Sequence, residues 1–178
     1  LHVMGYPSCS VLDGGMTAWR NEQRRLSVEQ PVRKNTAPTV TMDTSVIATR
    51  EYILSQLNDD HVILVDARSP EEYIGTKQLS TRSGHIPGAV NLNWLDTIDA
   101  NNHLRLKPRR ILEDILETRQ ILPALEVITY CQTHHRSAHT WVLLKSLGYL
   151  TVRGYPGSWS EWGNDPETPI QTLLDTNP

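Results

Sequence analysis

Apolar and polar positions along the chain follow two alternating periods, one of strands and one of helices. His61-Val62-Ile63-Leu64-Val65 is a nearly unbroken apolar run, the mark of a strand covered on both faces. Glu126-Val127-Ile128-Thr129-Tyr130 is a second run of strand length, rich in β-branched and aromatic residues. Helical spacing appears in three places. Tyr52, Ile53 and Leu57 share a face in a helix expected near Thr49–Leu57. Ile111, Leu112, Ile115 and Leu116 do so in a helix opened by Pro108, and Ala138, Trp141, Val142 and Leu144 do so between Ser137 and Leu147, ahead of Gly148. Shorter strands are expected near Val40–Met42 and Ala89–Leu92. Ser69-Pro70-Glu71-Glu72 reads as a capping box: serine at the cap, proline at the first helical position, glutamate three residues after the serine. Strands and helices alternating in this way predict a three-layer α/β domain around a parallel sheet, joined by right-handed crossovers.

The N-terminal stretch breaks the pattern. Gly5-Tyr6, Gly14, Trp19 and Asn21 recur at one constant separation as Gly148-Tyr149, Gly157, Trp162 and Asn164, which implies two copies of one domain. Leu1 is no natural start, and a tail alone cannot bury a core. Residues 1–22 are therefore expected to be the end of a first, truncated copy. Residues 23–39 mix charge with Pro31 and Pro38 and read as a linker. Residues 40–170 form the main domain, and 171–178 a C-terminal tail.

Bulk properties narrow the function. With 178 residues and 38% hydrophobic content, the chain can build an ordinary globular core. A net charge of -3 without basic runs argues against nucleic acid as a partner. No apolar stretch reaches membrane-spanning length. Cys9 and Cys131 lie far apart in different settings, so a disulfide framework is not expected and a reducing cytoplasm fits better.

The candidate chemistry lies at Cys131-Gln132-Thr133-His134-His135-Arg136, between the second strand and its helix. At such a junction the loop N–H groups converge and the positive end of the helix dipole adds to them, which favours an anion. If that anion is the side chain of Cys131, its pKa is expected below the free value of about 8.5, and the thiolate becomes a nucleophile near neutral pH. Arg136 adds a permanent planar charge able to fork onto an oxyanion. Asp66 and Arg68 stand just past the carboxyl end of the first strand, where open α/β sheets place their ligand crevice. They read either as supports of the loop or as a structural ion pair. His85, within Gly84-His85-Ile86-Pro87-Gly88, reads as a histidine fixed in a turn. Trp94 reads as a pocket wall or as core.

These residues resemble those of the rhodanese sulfurtransferases, and the loop is especially similar to that of tandem-domain bacterial members. Val65-Asp66-Ala67-Arg68-Ser69-Pro70-Glu71-Glu72-Tyr73, Gly84 to Asn91 and Gly157-Ser158-Trp159-Ser160-Glu161-Trp162 fit the same family, in the same order, over roughly residues 40–170. The resemblance implies five parallel strands. It further implies a persulfide carried on Cys131, with Arg136, Gln132, Thr133, His134 and His135 binding substrate and Asp66, Arg68 and Trp94 in support. The implied partners are a thiosulfate-like donor and a cyanide or thiol acceptor; no metal or organic cofactor is implied, and the full tandem form is expected to be a monomer. In the mitochondrial thiosulfate enzyme of the family an arginine that binds substrate stands where this chain has Glu72. Cys131-Gln132-Thr133 also matches neither the Cys-Arg-Lys of the animal thiosulfate enzyme nor the Cys-Gly-Ser of the mercaptopyruvate enzyme.

Three other readings compete. A zinc site from Cys131, His134, His135 and His139 needs four ligands in tetrahedral array, and adjacent histidines on a short loop rarely converge. A cysteine phosphatase or arsenate-reductase-like enzyme also pairs cysteine with arginine around a backbone nest, but phosphatases resembling this loop place one residue more between the two than Gln132–His135. A catalytically silent binding module is the third, and the presence of both Cys131 and Arg136 argues against it.

Overall fold

A computed structural model of the chain describes residues 1–172 apart from positions 7, 33, 34, 36 and 38. Four positions of the expected linker and most of the expected C-terminal tail thus lie outside the described residues. The helices are α1 (Gly15–Asn21), α2 (Arg50–Gln56), α3 (Pro70–Ile74), α4 (Arg109–Thr118), α5 (His135–Ser146) and α6 (Ser158–Trp162). The strands are β1 (Val62–Asp66), β2 (Val90–Asn91), β3 (Ile98–Asp99), β4 (Arg105–Leu106), β5 (Glu126–Tyr130) and β6 (Val152–Gly154).

Two units divide the chain. The first comprises Leu1–Thr44 with Ile98–Lys107, and the second Ser45–Thr97 with Pro108–Pro178. In the first unit, β3 and β4 form an antiparallel pair that the sequence pattern did not announce. Leu106 N–H reaches the side chain of Asp13, and Arg105 pairs with Glu22. Ala18 is the only buried apolar residue of this unit among the described residues, whereas Leu1, Val11, Leu12, Met16 and Leu26 are exposed.

The second unit is built on a parallel sheet in the order β2-β1-β5-β6. β1 and β5 pair along their whole length, from Val62 with Glu126 to Asp66 with Tyr130. Successive side chains of a strand point to opposite faces, and the core divides accordingly. Leu64, Ile128 and Tyr130 pack with Ile53 of α2, Tyr73 of α3, and Trp159 and Trp162 of α6. Val65 and Val127 pack on the other face with Leu116 of α4 and Leu144 of α5. Helices therefore cover both faces of the sheet, giving the three layers.

The sheet has four strands, not the five expected. Val40 and Met42 are exposed and form no strand. The place beside β6 is taken instead by one parallel bridge from Ile47 to Gly154, with Ala48 N–H donating to the Gly154 carbonyl at 2.8 Å. Pairing stops there because the next residue, Thr49, already caps α2, its side chain accepting from Tyr52 N–H at 3.1 Å.

Candidate active site

The carboxyl ends of β1 and β5 lie side by side, so the turns that follow them are neighbours. After β1 comes a closed turn. Ser69 Oγ accepts from Glu72 N–H, and Glu72 Oε2 accepts from Ser69 N–H at 3.3 Å, which is the expected capping box. Asp66 is fully buried and takes Arg68 Nε at 2.9 Å, with a second contact at 2.6 Å from a terminal nitrogen. Arg68 also donates to the Gly84 carbonyl at 2.7 Å, and its guanidinium lies 4.4 Å from the Trp159 ring centre and 5.8 Å from that of Tyr130. Asp66 and Arg68 thus form a buried ion pair beneath Tyr130, the residue before Cys131.

After β5 the chain behaves differently. Cys131 is buried, and its own N–H is tied to Ser158 Oγ at 3.3 Å. The next two carbonyl contacts are made by α6: Trp159 N–H donates to the Cys131 carbonyl and Ser160 N–H to the Gln132 carbonyl, both at 2.9 Å. In a planar trans peptide the N–H of the following residue points away from that carbonyl. The Gln132 and Thr133 amides are therefore directed away from α6. Among the described residues, none of the N–H groups from Gln132 to Ser137 has an acceptor in the protein. His134, at the N-cap of α5, has left-handed backbone with φ 66° and no side-chain cap. Unpaired amides next to the positive end of a twelve-residue helix form a nest suited to an anion, in the loop that Cys131 opens.

The side chains of the loop are placed unequally. Gln132 Nε2 is tied to Ser80 Oγ at 3.0 Å and to the Leu79 carbonyl at 3.3 Å. Thr133 and His135 are exposed and pair with each other at 3.1 Å between Oγ1 and Nδ1. The His134 ring turns inward, its Nδ1 2.7 Å from Ser137 Oγ and its edge against Gly154. Burial, with the charge of His135 in second place, lowers the His134 pKa, so this imidazole is neutral at neutral pH. His85 stacks on Tyr73 with ring centres 3.7 Å apart. Trp94 is half-buried and meets His139 edge-on at 5.6 Å. Among the described residues no cluster of metal-binding side chains occurs.

Arg136 departs most from its sequence reading. Both its terminal nitrogens are donated to Glu72, at 2.7 and 2.8 Å. Burial would push the Glu72 carboxyl up, but the hydrogen bonds and charge of Arg136, together with Ser69 N–H, hold it at about 2. In the sequence Glu72 reads as the capping-box glutamate, standing where the mitochondrial thiosulfate enzyme of the family has a substrate-binding arginine, and neither reading pairs it with Arg136. The pair is separated by many residues and follows no period, so no local pattern announces it.

A buried cysteine at the carboxyl edge of a parallel sheet, followed by unpaired backbone amides, is an arrangement suited to thiol-based group transfer. Residues 49–165 match the rhodanese-like domain family, and the chain belongs to that family. It is 43% identical over 171 residues to the thiosulfate sulfurtransferases of Pseudomonas aeruginosa and of Azotobacter vinelandii, covering 96% of this chain and 62% of each relative. To that of Corynebacterium glutamicum it is 35% identical, covering 60% of the relative. The chain thus spans less than two thirds of the length of these curated relatives. Among solved structures it is similar to EanB in complex with ergothioneine, with 26% identity and a TM-score of 0.86 over 96% of this chain and 43% of EanB. It is equally similar to an EanB structure with a cysteine persulfide in a tetrahedral intermediate state, at a TM-score of 0.85 over 96% of this chain and 43% of EanB. No described helix is long and apolar enough to cross a membrane.

Proposed function

We propose that this chain carries the catalytic half of a sulfurtransferase in which Cys131 shuttles a sulfane sulfur. The observation that carries the reading is the row of unpaired N–H groups from Gln132 to Ser137 in the loop that follows a buried thiol. The Cys131 thiolate attacks the outer sulfur of thiosulfate. The sulfur–sulfur bond to the sulfonate breaks, sulfite leaves with the bonding pair, and a persulfide remains on Cys131. The nest holds the terminal sulfur, and Arg136 offers its remaining N–H groups to the donor's oxygens. Attack by cyanide or a thiolate on the terminal sulfur then returns the electron pair to Cys131, so no outside oxidant or reductant is consumed. The names of the bacterial relatives and the persulfide in the EanB structure support this reading.

In the same reading, residues 1–22 close a first copy of the domain, and the tandem form is monomeric and cytoplasmic. In support, Gly5 and Gly148 both hold left-handed backbone, and Gly14 and Gly157 both precede a helix that carries the recurring tryptophan. Both cysteines are free. The test is intact mass after thiosulfate and again after cyanide, alongside Cys131→Ser. The expected result is one sulfur atom gained by the parent alone and released as thiocyanate. No gain, with turnover of an aryl phosphate, would replace sulfur transfer with phosphatase chemistry.

A further inference from the structure

We propose that Glu72 is a positioning residue, holding the Arg136 guanidinium beside Cys131 so that the reactivity of the thiol depends on a carboxylate from the neighbouring turn. The inference deepens the sulfurtransferase reading and rests on its choice of Cys131 as nucleophile.

Arg136 sits in the first turn of α5, on a stem with many rotamers, and its side chain is about a quarter exposed, 27%. A guanidinium so placed would spend much of its time in solvent. Glu72 prevents this. Its side chain is 2% exposed, is fixed at the N3 position of α3 by the capping box, and presents both oxygens to the two terminal nitrogens. Such a fork fixes the plane of the guanidinium as well as its distance. Arg136 closes the six-residue loop that Cys131 opens, and the fork draws its guanidinium toward the edge where the turns after β1 and β5 meet. The surrounding charges do not replace it: Arg68 is committed to Asp66, His134 faces Gly154, and His135 is exposed and paired with Thr133. The capping box and the anion nest are thereby mechanically joined.

Two consequences separate positioning from simple neutralisation. If Glu72 only cancelled the charge of Arg136, Glu72→Gln would leave a stronger positive field and a more reactive thiol. If it positions Arg136, the amide breaks the fork, the guanidinium swings away, and the thiol becomes less reactive. A second substitution at Arg136 would then change nothing further.

The experiment is the pH profile of iodoacetamide alkylation, read by peptide mass at Cys131, with the exposed Cys9 as internal control. Parent, Glu72→Gln and the double variant Glu72→Gln, Arg136→Met are compared; the double variant contains no unpaired member of the pair. Glu72→Gln is expected to lower the neutral-pH rate at Cys131 about tenfold, the equivalent of one pKa unit from a displaced charge. Its midpoint should rise, the double variant should match it, and Cys9 should be unchanged. A rate in Glu72→Gln equal to or above the parent's, or a double variant about tenfold slower again, overturns the proposal. Should Glu72→Gln not fold, Glu72→Asp, with the charge kept one methylene short of the fork, serves the same comparison. Sulfur loading from thiosulfate, followed in parallel, keeps the two claims apart. A parent that takes up no sulfur while alkylation responds to Glu72→Gln refutes sulfur transfer and upholds positioning. A parent that takes up sulfur with alkylation indifferent to Glu72 does the reverse.

Discussion

The turn after β1 and the turn after β5 are two versions of one construction, a parallel strand delivering the chain into a helix at the same edge of the sheet. The first is closed. Pro70 has no N–H to satisfy, Ser69 and Glu72 satisfy each other's, and Asp66 with Arg68 fills the space below. The second is left open: α5 starts without a side-chain cap, behind a residue in left-handed backbone, with unpaired amides from Gln132 to Ser137. Orphan donors at a helix start are normally satisfied by caps or by water. Omitting the cap at α5 forgoes about 1 kcal/mol of helix stability and leaves the donors available to a ligand. The contrast separates residues that hold the fold from residues left free to meet a ligand.

Substitutions should divide along the same line. Cys131→Ser, on the open side, is expected to abolish sulfur loading by intact mass while leaving the denaturation midpoint close to the parent's; a large loss of stability would show that the loop supports the fold. Asp66→Asn, on the closed side, breaks a buried pair and should cost about 3–5 kcal/mol in urea unfolding. A pH series sharpens the comparison through Glu72, which belongs to both turns. Its folded pKa, about 2, lies below the ordinary value of 4.5. The stability it contributes is therefore present above the ordinary value and disappears as pH falls toward about 2, an amount on the order of 3 kcal/mol. Glu72→Gln should flatten that part of the acid-unfolding curve, and an unchanged curve would contradict the strength of the fork. Ser69→Ala should cost about 1 kcal/mol in thermal unfolding through loss of the cap. Thr133→Ala, at the exposed place one residue before the N-cap of α5, should change stability by less than about 0.5 kcal/mol. If these last two cost the same, α5 is capped after all and the contrast fails.

The same division governs what could be read from the sequence. Runs with one dominant period, such as Val62–Asp66, Glu126–Tyr130 and the helix after Cys131, were legible because burial on a sheet or helix face imposes that period. The capping box was legible because its partners are three residues apart. Val40–Met42 misled: β-branched composition suits a strand, but these residues are exposed, and the edge of the sheet is met only at Ile47. The β3–β4 pair escaped because two-residue strands carry too little pattern. The loop around Cys131 was found from residue types, yet the partners of its side chains were not. Gln132 is claimed by Leu79 and Ser80, and Arg136 by Glu72, across distances in sequence that no local rule spans.

Gly154 gives the open turn a remote point of control. No Cβ fits there, because the space is filled by the His134 ring. His134 is also the left-handed residue from which α5 departs. A side chain added on β6 would thus have to evict the imidazole, and with it disturb the backbone angle that leaves the amides uncapped. For anyone wishing to redesign this protein, the outermost strand is a dial on the loop after β5, and alanine is already too coarse a setting.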